Sequence, residues 1–290
     1  MRSSLRLSSL LRFVGAFSGP LPVAPPAGFA RPAVPDDVSR ALAVLTPARR
    51  RAVLDPLGRD RGTGTMGRPR RLSLPSAEVK GGVPASQVDE TTCGSAVLAM
   101  LGLAGDPRAA LRLATGDAGA NFAGLQRAIK RATNRRALGA VGWPERYGTP
   151  PWGAASVARY GVVRYTHRVV GAAGRRPRSR AVLLAAVGSA RAGVPVPLFT
   201  GGDVARGLET AIPRHVVLLT LADGEGRDGS AVLYEPSSAA LHTVPVAALL
   251  DPPDAGIDPA TPEGKVRAAL TRALGGWPHV TWALLPAGRA

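Results

Sequence analysis

The spacing of apolar residues in this chain changes from helical to strand-like once, near residue 194. Before that point apolar positions recur at helical intervals, as in Val97, Met100 and Leu101, or Phe122, Leu125 and Ile129. The exception is Val162 to Val170, which alternates as a strand does. After it come short apolar runs separated by turns: Val194 to Phe199, His215 to Leu221, Ala231 to Tyr234, Leu241 to Val244 and His279 to Leu285. Helical patterns return only at Val246 to Leu250 and Glu263 to Leu274. Helices first and antiparallel strands second, with little β-α-β alternation, predict an α+β fold whose sheet packs on one side against the helices. Aromatic residues are 4% of the chain and hydrophobic residues 45%, so the core must be built from Ala, Val and Leu. Pro195 and Pro197 suit an edge strand or a bulge.

The chain has a single cysteine, Cys93, which excludes an internal disulfide and a multi-thiolate metal site. It stands in Gln87-Val-Asp-Glu-Thr-Thr-Cys-Gly-Ser-Ala-Val-Leu-Ala-Met100. Thr91 and Thr92 are N-cap types and the residues from Ser95 onward form helix well, which places Cys93 in a first helical turn. The positive end of a helix stabilises a thiolate there. Gly94 leaves the sulfur's neighbour without a side chain, so another group can approach closely. Gln87 carries an amide that could donate to an oxyanion at the sulfur. The plain alternatives are a small buried hydrophobe for Cys93 and an ordinary loop amide for Gln87. Asp89 and Glu90 are expected to point to solvent, because negative charge directed at the sulfur would oppose thiolate formation.

Gln-x5-Cys-Gly at a helix start resembles the papain-like cysteine peptidases, and within them the bacterial branch that includes the bacteriocin-processing (double-glycine-leader) peptidases. In that branch a His opens a later apolar strand and an Asp-Pro ends the strand after it. Here the corresponding segments are Arg214-His-Val-Val-Leu-Leu-Thr220 and Ala231-Val-Leu-Tyr-Glu-Pro236, with Glu235 standing where the family usually has Asp. The likeness spans about residues 80 to 285. It implies a papain-like fold, with the Cys-bearing helical part packed on a C-terminal antiparallel sheet. It also implies a thiol hydrolase acting on a peptide or another amide. Cys93 would be the nucleophile, His215 the general base and acid, Glu235 its orienter, and Gln87 with the Cys93 backbone N–H the oxyanion donors. His242 is the reserve base; His167 and His279 read as strand residues. The Glu in place of Asp motivates a second expectation, the same fold kept as a binding module without turnover.

The formal charge is +17, from 37 basic and 20 acidic residues, and all but three of the basic residues are arginine. A basic protein of this kind can bind nucleic acid. The arginines are scattered, however, and their clusters (Arg49 to Arg51, Arg68 to Arg71, Arg127 to Arg136, Arg175 to Arg180) carry no interleaved aromatic platform. Solvated faces are therefore expected and a nucleic-acid partner is not. No apolar run reaches the ~20 residues of a membrane span. The apolar stretch after Arg12 is interrupted at Gly15, Gly19 and Pro20, too early for a clean secretory signal. One cysteine fits a reducing interior, so a cytoplasmic protein is expected, with secretion left open by that N-terminal stretch. The histidines lack paired spacing and the aspartates at 251, 254 and 258 lack an ordered ligand loop, so neither metal nor cofactor is expected. Residues 1–76 are expected as an extension with a disordered start, two short helices and a basic linker, and residues 77–290 as the peptidase-like domain. Gly201 to Gly207 reads as a flap before His215 rather than a phosphate loop.

Overall fold

The structure, a computed structural model, describes residues 21–22, 32–76, 79, 81–135, 137, 142–170, 177–202, 213–254 and 256–289. The expected N-terminal tail, most of the basic loop after Val170 and most of the expected flap lie outside the described residues. Among the described residues there are nine α-helices: α1 (Asp36–Ala43), α2 (Pro47–Leu54), α3 (Cys93–Gly105), α4 (Pro107–Ala114), α5 (Ala118–Asn134), α6 (Pro151–Val157), α7 (Pro177–Arg191), α8 (Val246–Leu250) and α9 (Pro262–Ala273). The strands are β1 (Arg70–Arg71), β2 (Ser73–Leu74), β3 (Val83–Pro84), β4 (Arg159–Tyr160), β5 (Val163–Val169), β6 (Val196–Gly201), β7 (His215–Ala222), β8 (Ser230–Glu235), β9 (Ala240–Pro245) and β10 (His279–Arg289). Eight of them form one antiparallel sheet in the order β1-β9-β8-β7-β6-β10-β5-β4, and β2 pairs with β3. The protein is thus mixed α+β with a large antiparallel sheet, as its apolar spacing predicts.

The expectation that helices cover one side of the sheet needs correction. One face packs on α3 and its neighbours through Val216, Leu218, Val232, Tyr234, Trp282 and Leu284. The opposite face packs on α7, α8 and α9 through Val217, Leu219, Ala231, Leu233, Ala283 and Leu285. The physical sign is the unbroken run Val216 to Leu219, buried at every position. A strand with one face in water alternates, whereas a strand covered on both faces is apolar throughout. Pro197 likewise sits in an interior strand, β6, between β7 and β10. Pairing with β10 begins at Leu198, so Pro197 is laddered on one side only and its missing N–H is tolerated.

The two short helices expected before residue 77 are present as α1 and α2, and Thr46 caps α2 by accepting from the Arg49 N–H. The rest of that segment is no linker. Its Leu72 N–H donates to the Ala239 carbonyl and its β1 residues pair with β9 in the main sheet. Arg59, itself buried, donates to the Gly193 carbonyl (2.8 Å) and to the Tyr160 hydroxyl (3.0 Å), and its guanidinium lies over the Tyr160 ring. Val38, Leu42, Val53, Leu57, Leu72 and Leu74 belong to the same core as α3. Burying six such side chains contributes on the order of 10 kcal/mol, comparable to the whole stability of a domain. A chain beginning at residue 77 is therefore expected to lack a cooperative thermal transition. A sharp transition in that truncation, with native-like near-ultraviolet circular dichroism, would show the early segment to be dispensable.

Candidate functional site

Cys93 is the first residue of α3 and is 3% exposed. The turn before it is tied by its own polar groups. The Asp89 N–H donates to Thr92 Oγ1 (2.9 Å), and the Thr92 hydroxyl donates back to the Asp89 carbonyl (2.9 Å). Asp89 Oδ1 accepts from the Thr91 N–H (2.8 Å) and hydroxyl (2.6 Å), and Lys130 Nζ reaches Thr91 Oγ1 at 2.5 Å. Asp89 is exposed and bound into this turn, as its charge requires. Thr92 occupies the N-cap position but makes no side-chain capping bond. The opening N–H groups of α3 are thus left without a side-chain cap at the sulfur.

His215 opens β7 and Glu235 closes β8, two neighbouring strands, so both side chains emerge at the same end of the sheet. His215 Nε2 lies 2.8 Å from Glu235 Oε1, with both side chains buried. An ionised carboxylate only accepts, so Nε2 carries a proton and Nδ1 is the ring nitrogen left free of Glu235. Cys93 lines the same cleft as the ring. Burial opposes charge on the imidazole, but interactions with Cys93 and Glu235 outweigh it and lift its pKa from 6.5 to about 9. Burial likewise opposes charge on Glu235. Hydrogen bonds from His215, Ser238 and Ser237 outweigh it and hold the carboxyl at about 2. Oε1 accepts from the Ser237 N–H (2.8 Å) and hydroxyl (2.7 Å), and Oε2 from the Ser238 N–H (2.8 Å) and hydroxyl (2.6 Å).

The expected Cys93, His215 and Glu235 are therefore brought together, by a helix from one core and two strands that run through the sheet. A cleft of about 30 Å³ lies over Cys93 and His215, with Glu90, Arg146, Tyr147, Thr149, Phe199 and Arg214 among its walls. Glu90, expected in solvent, is exposed on the rim of this cleft. Such a volume holds about one water molecule.

Compared with protein-family models, with curated proteins and with solved structures, the chain matches none. Its chemistry therefore rests on its own geometry.

Gln87 is not among the residues that line the cleft. Its side-chain amide donates to the Asp89 carbonyl (2.8 Å). Its backbone N–H instead donates to the Pro236 carbonyl (2.9 Å), tying the loop before Cys93 to the residue after Glu235. His167, His242 and His279 lie on β5, β9 and β10 and none lines the cleft, so the reserve base is not called upon. Among the described residues no group of three or more His, Cys, Asp or Glu could hold a metal ion, and no helix is long and apolar enough to cross a membrane.

Several residues that shape the site escape a motif reading. Ser237 and Ser238 fill the carboxylate, and a Pro-Ser-Ser turn after Glu235 was their only sequence sign. Gly275 (φ +70°) lies against the imidazole: a Cβ there would sit 2.2 Å from its Cδ2 and 2.5 Å from its Nε2. Gly275-Gly276 is legible as the stop of α9, but nothing local says which ring rests on it. Gly94 does what its motif suggests. A Cβ there would meet Thr149 Cβ at 2.7 Å, so the missing side chain lets Thr149 close against the helix start.

Proposed function

We propose that this protein is a thiol hydrolase acting on a peptide or another amide. One observation carries the reading: a buried His215, held by a fully hydrogen-bonded Glu235, shares one cleft with Cys93. An imidazolium beside the sulfur stabilises negative charge on it, and the Glu235 carboxylate stabilises the imidazolium. The thiolate forms a bond to the carbonyl carbon while the C=O electron pair moves to oxygen. As that pair returns, His215 gives its proton to the departing amine and the C–N bond breaks. Water then attacks the thioester, with His215 taking its proton and returning it to the sulfur. The Cys93 backbone N–H, at a helix start without a side-chain cap, would donate to the oxyanion.

The test is alkylation of Cys93 by iodoacetamide across pH, read by mass spectrometry. The expected result is a rate already high near pH 6 and at least about tenfold lower in His215→Ala at that pH. A rate that tracks an ordinary thiol near pH 8.5 and ignores His215→Ala would remove the activated pair.

A second reading, a binding module without turnover, is favoured by the depth of the thiol and the small cleft. It is the better one if a thiol-directed activity probe labels the protein only after denaturation.

A further inference from the structure

Gln87 does not line the cleft and gives one amide N–H to the Asp89 carbonyl, which points to the residues that do line it for a second oxyanion donor. We infer that the Thr149 hydroxyl is that donor. The inference rests on the hydrolase reading above and adds to it a residue on a different segment of the chain.

Thr149 lines the cleft together with Cys93 and His215 and is 6% exposed. Its Oγ1 is buried and has no hydrogen-bond partner among the described residues. A buried hydroxyl without a partner costs about 1–3 kcal/mol. Folding has little reason to carry that cost at a cleft floor unless something arrives to accept the proton. The hydroxyl is also closely placed: it would stand 2.8 Å from a Cβ on Gly94, the residue that follows the nucleophile, so glycine there is what admits it.

Its support is firm. The Gly148 N–H donates to the Glu145 carbonyl (3.0 Å), and the Gly148 carbonyl accepts from Asn134 Nδ2 (3.3 Å) at the end of α5. Pro150 follows, which keeps Thr149 extended. A preorganised donor of this kind contributes in the transition state without rearrangement. When the sulfur adds to a carbonyl, negative charge develops on the oxygen beside the start of α3. Thr149 Oγ1–H and the Cys93 N–H would then meet it from two directions. Collapse returns the electron pair to the C=O bond, expels the leaving group and releases the hydroxyl.

The test uses the full-length protein and p-nitrophenyl acetate, a small activated ester suited to a small cleft, beside iodoacetamide. Acylation of Cys93 by the ester forms a C–S bond, passes through an oxyanion and releases p-nitrophenolate. Alkylation displaces iodide at a saturated carbon and forms no oxyanion. Thr149→Val is expected to slow acylation on the order of 100-fold while alkylation stays within about twofold, and Thr149→Ser is expected to restore acylation to within a few-fold. Thr149→Val is also expected to melt no lower than the wild type, because it removes an orphaned hydroxyl while keeping the side chain's shape. Equal acylation in Thr149→Val and wild type would overturn the donor role and leave the hydrolase reading standing. An equal fall in acylation and alkylation would make Thr149 a packing residue and overturn it too. A wild-type protein that the ester does not acylate at Cys93 at all would sink both readings together.

Discussion

Replacing Glu235 by Ala is expected to cost about 3–5 kcal/mol of stability near pH 5.5 and on the order of a thousandfold in acylation of Cys93. The stability loss has two parts. His215 is left buried without its anionic partner, and the N–H groups of Ser237 and Ser238 lose the oxygens that accept from them. The reactivity loss follows from the ring, which keeps its place on β7 but loses the acceptor that fixes its tautomer. The pH dependence has a definite sign. His215 is raised from 6.5 to about 9 in the folded protein, so its contribution is full below 6.5 and is lost as pH rises through 9. Glu235 is lowered from 4.5 to about 2, so its contribution is full above 4.5 and is lost as pH falls through 2. The gap between wild type and Glu235→Ala should therefore be widest between about pH 4.5 and 6.5 and shrink on both sides. Urea unfolding at pH 3, 5.5 and 9.5 measures it. A gap independent of pH would mean that the pair is not charged in the folded state.

Gly275→Ala is expected to disable the site nearly as fully as His215→Ala, although residue 275 carries no functional group. The added carbon would stand 2.2 Å from His215 Cδ2, and the glycine's backbone is fixed by its N–H donating to the Arg272 carbonyl at the end of α9. The ring must therefore move, and with it the 2.8 Å contact to Glu235. Gly276→Ala is the control. It shares the left-handed backbone strain (φ +86°) but has nothing within 4 Å of its added carbon. Both variants carry a similar backbone strain of about 1–2 kcal/mol; Gly275→Ala should melt lower still, because it also disturbs the buried His215–Glu235 pair, and only it loses rapid alkylation of Cys93 near pH 6. Equal alkylation rates in the two would show that the ring does not depend on the glycine that seats it.

The parts of the site legible in the sequence were those set by local pattern. A helix-forming run after two threonines placed Cys93 at a helix start, and two apolar runs joined by a polar turn placed His215 and Glu235 on adjacent strands. What stayed hidden was set by contacts between distant segments. Propensity gives the form of residues 36–54 but not that Val53 and Leu57 bury themselves beneath the same sheet as α3. The unbroken run at 216–219 held the evidence that both faces are covered, and the order of helices and strands outweighed it. Gln87 stands at the right spacing from Cys93, yet its rotamer is decided by a nearby carbonyl, and spacing says nothing about rotamers. Thr149 and Gly275 belong to no motif; only folding carries them to the nucleophile and the imidazole.

The order of strands has a further consequence. Both borders of the eight-stranded sheet are strands of two residues, Arg70–Arg71 and Arg159–Tyr160. Beyond Leu241 the β9 border is met by Thr63, whose carbonyl accepts from the Thr243 hydroxyl. At that border a short cationic margin gives a neighbouring molecule little open backbone to latch onto, whereas β4 covers only Val163 and Arg164 of β5. The chain thereby resists edge-to-edge self-association along its β9 border.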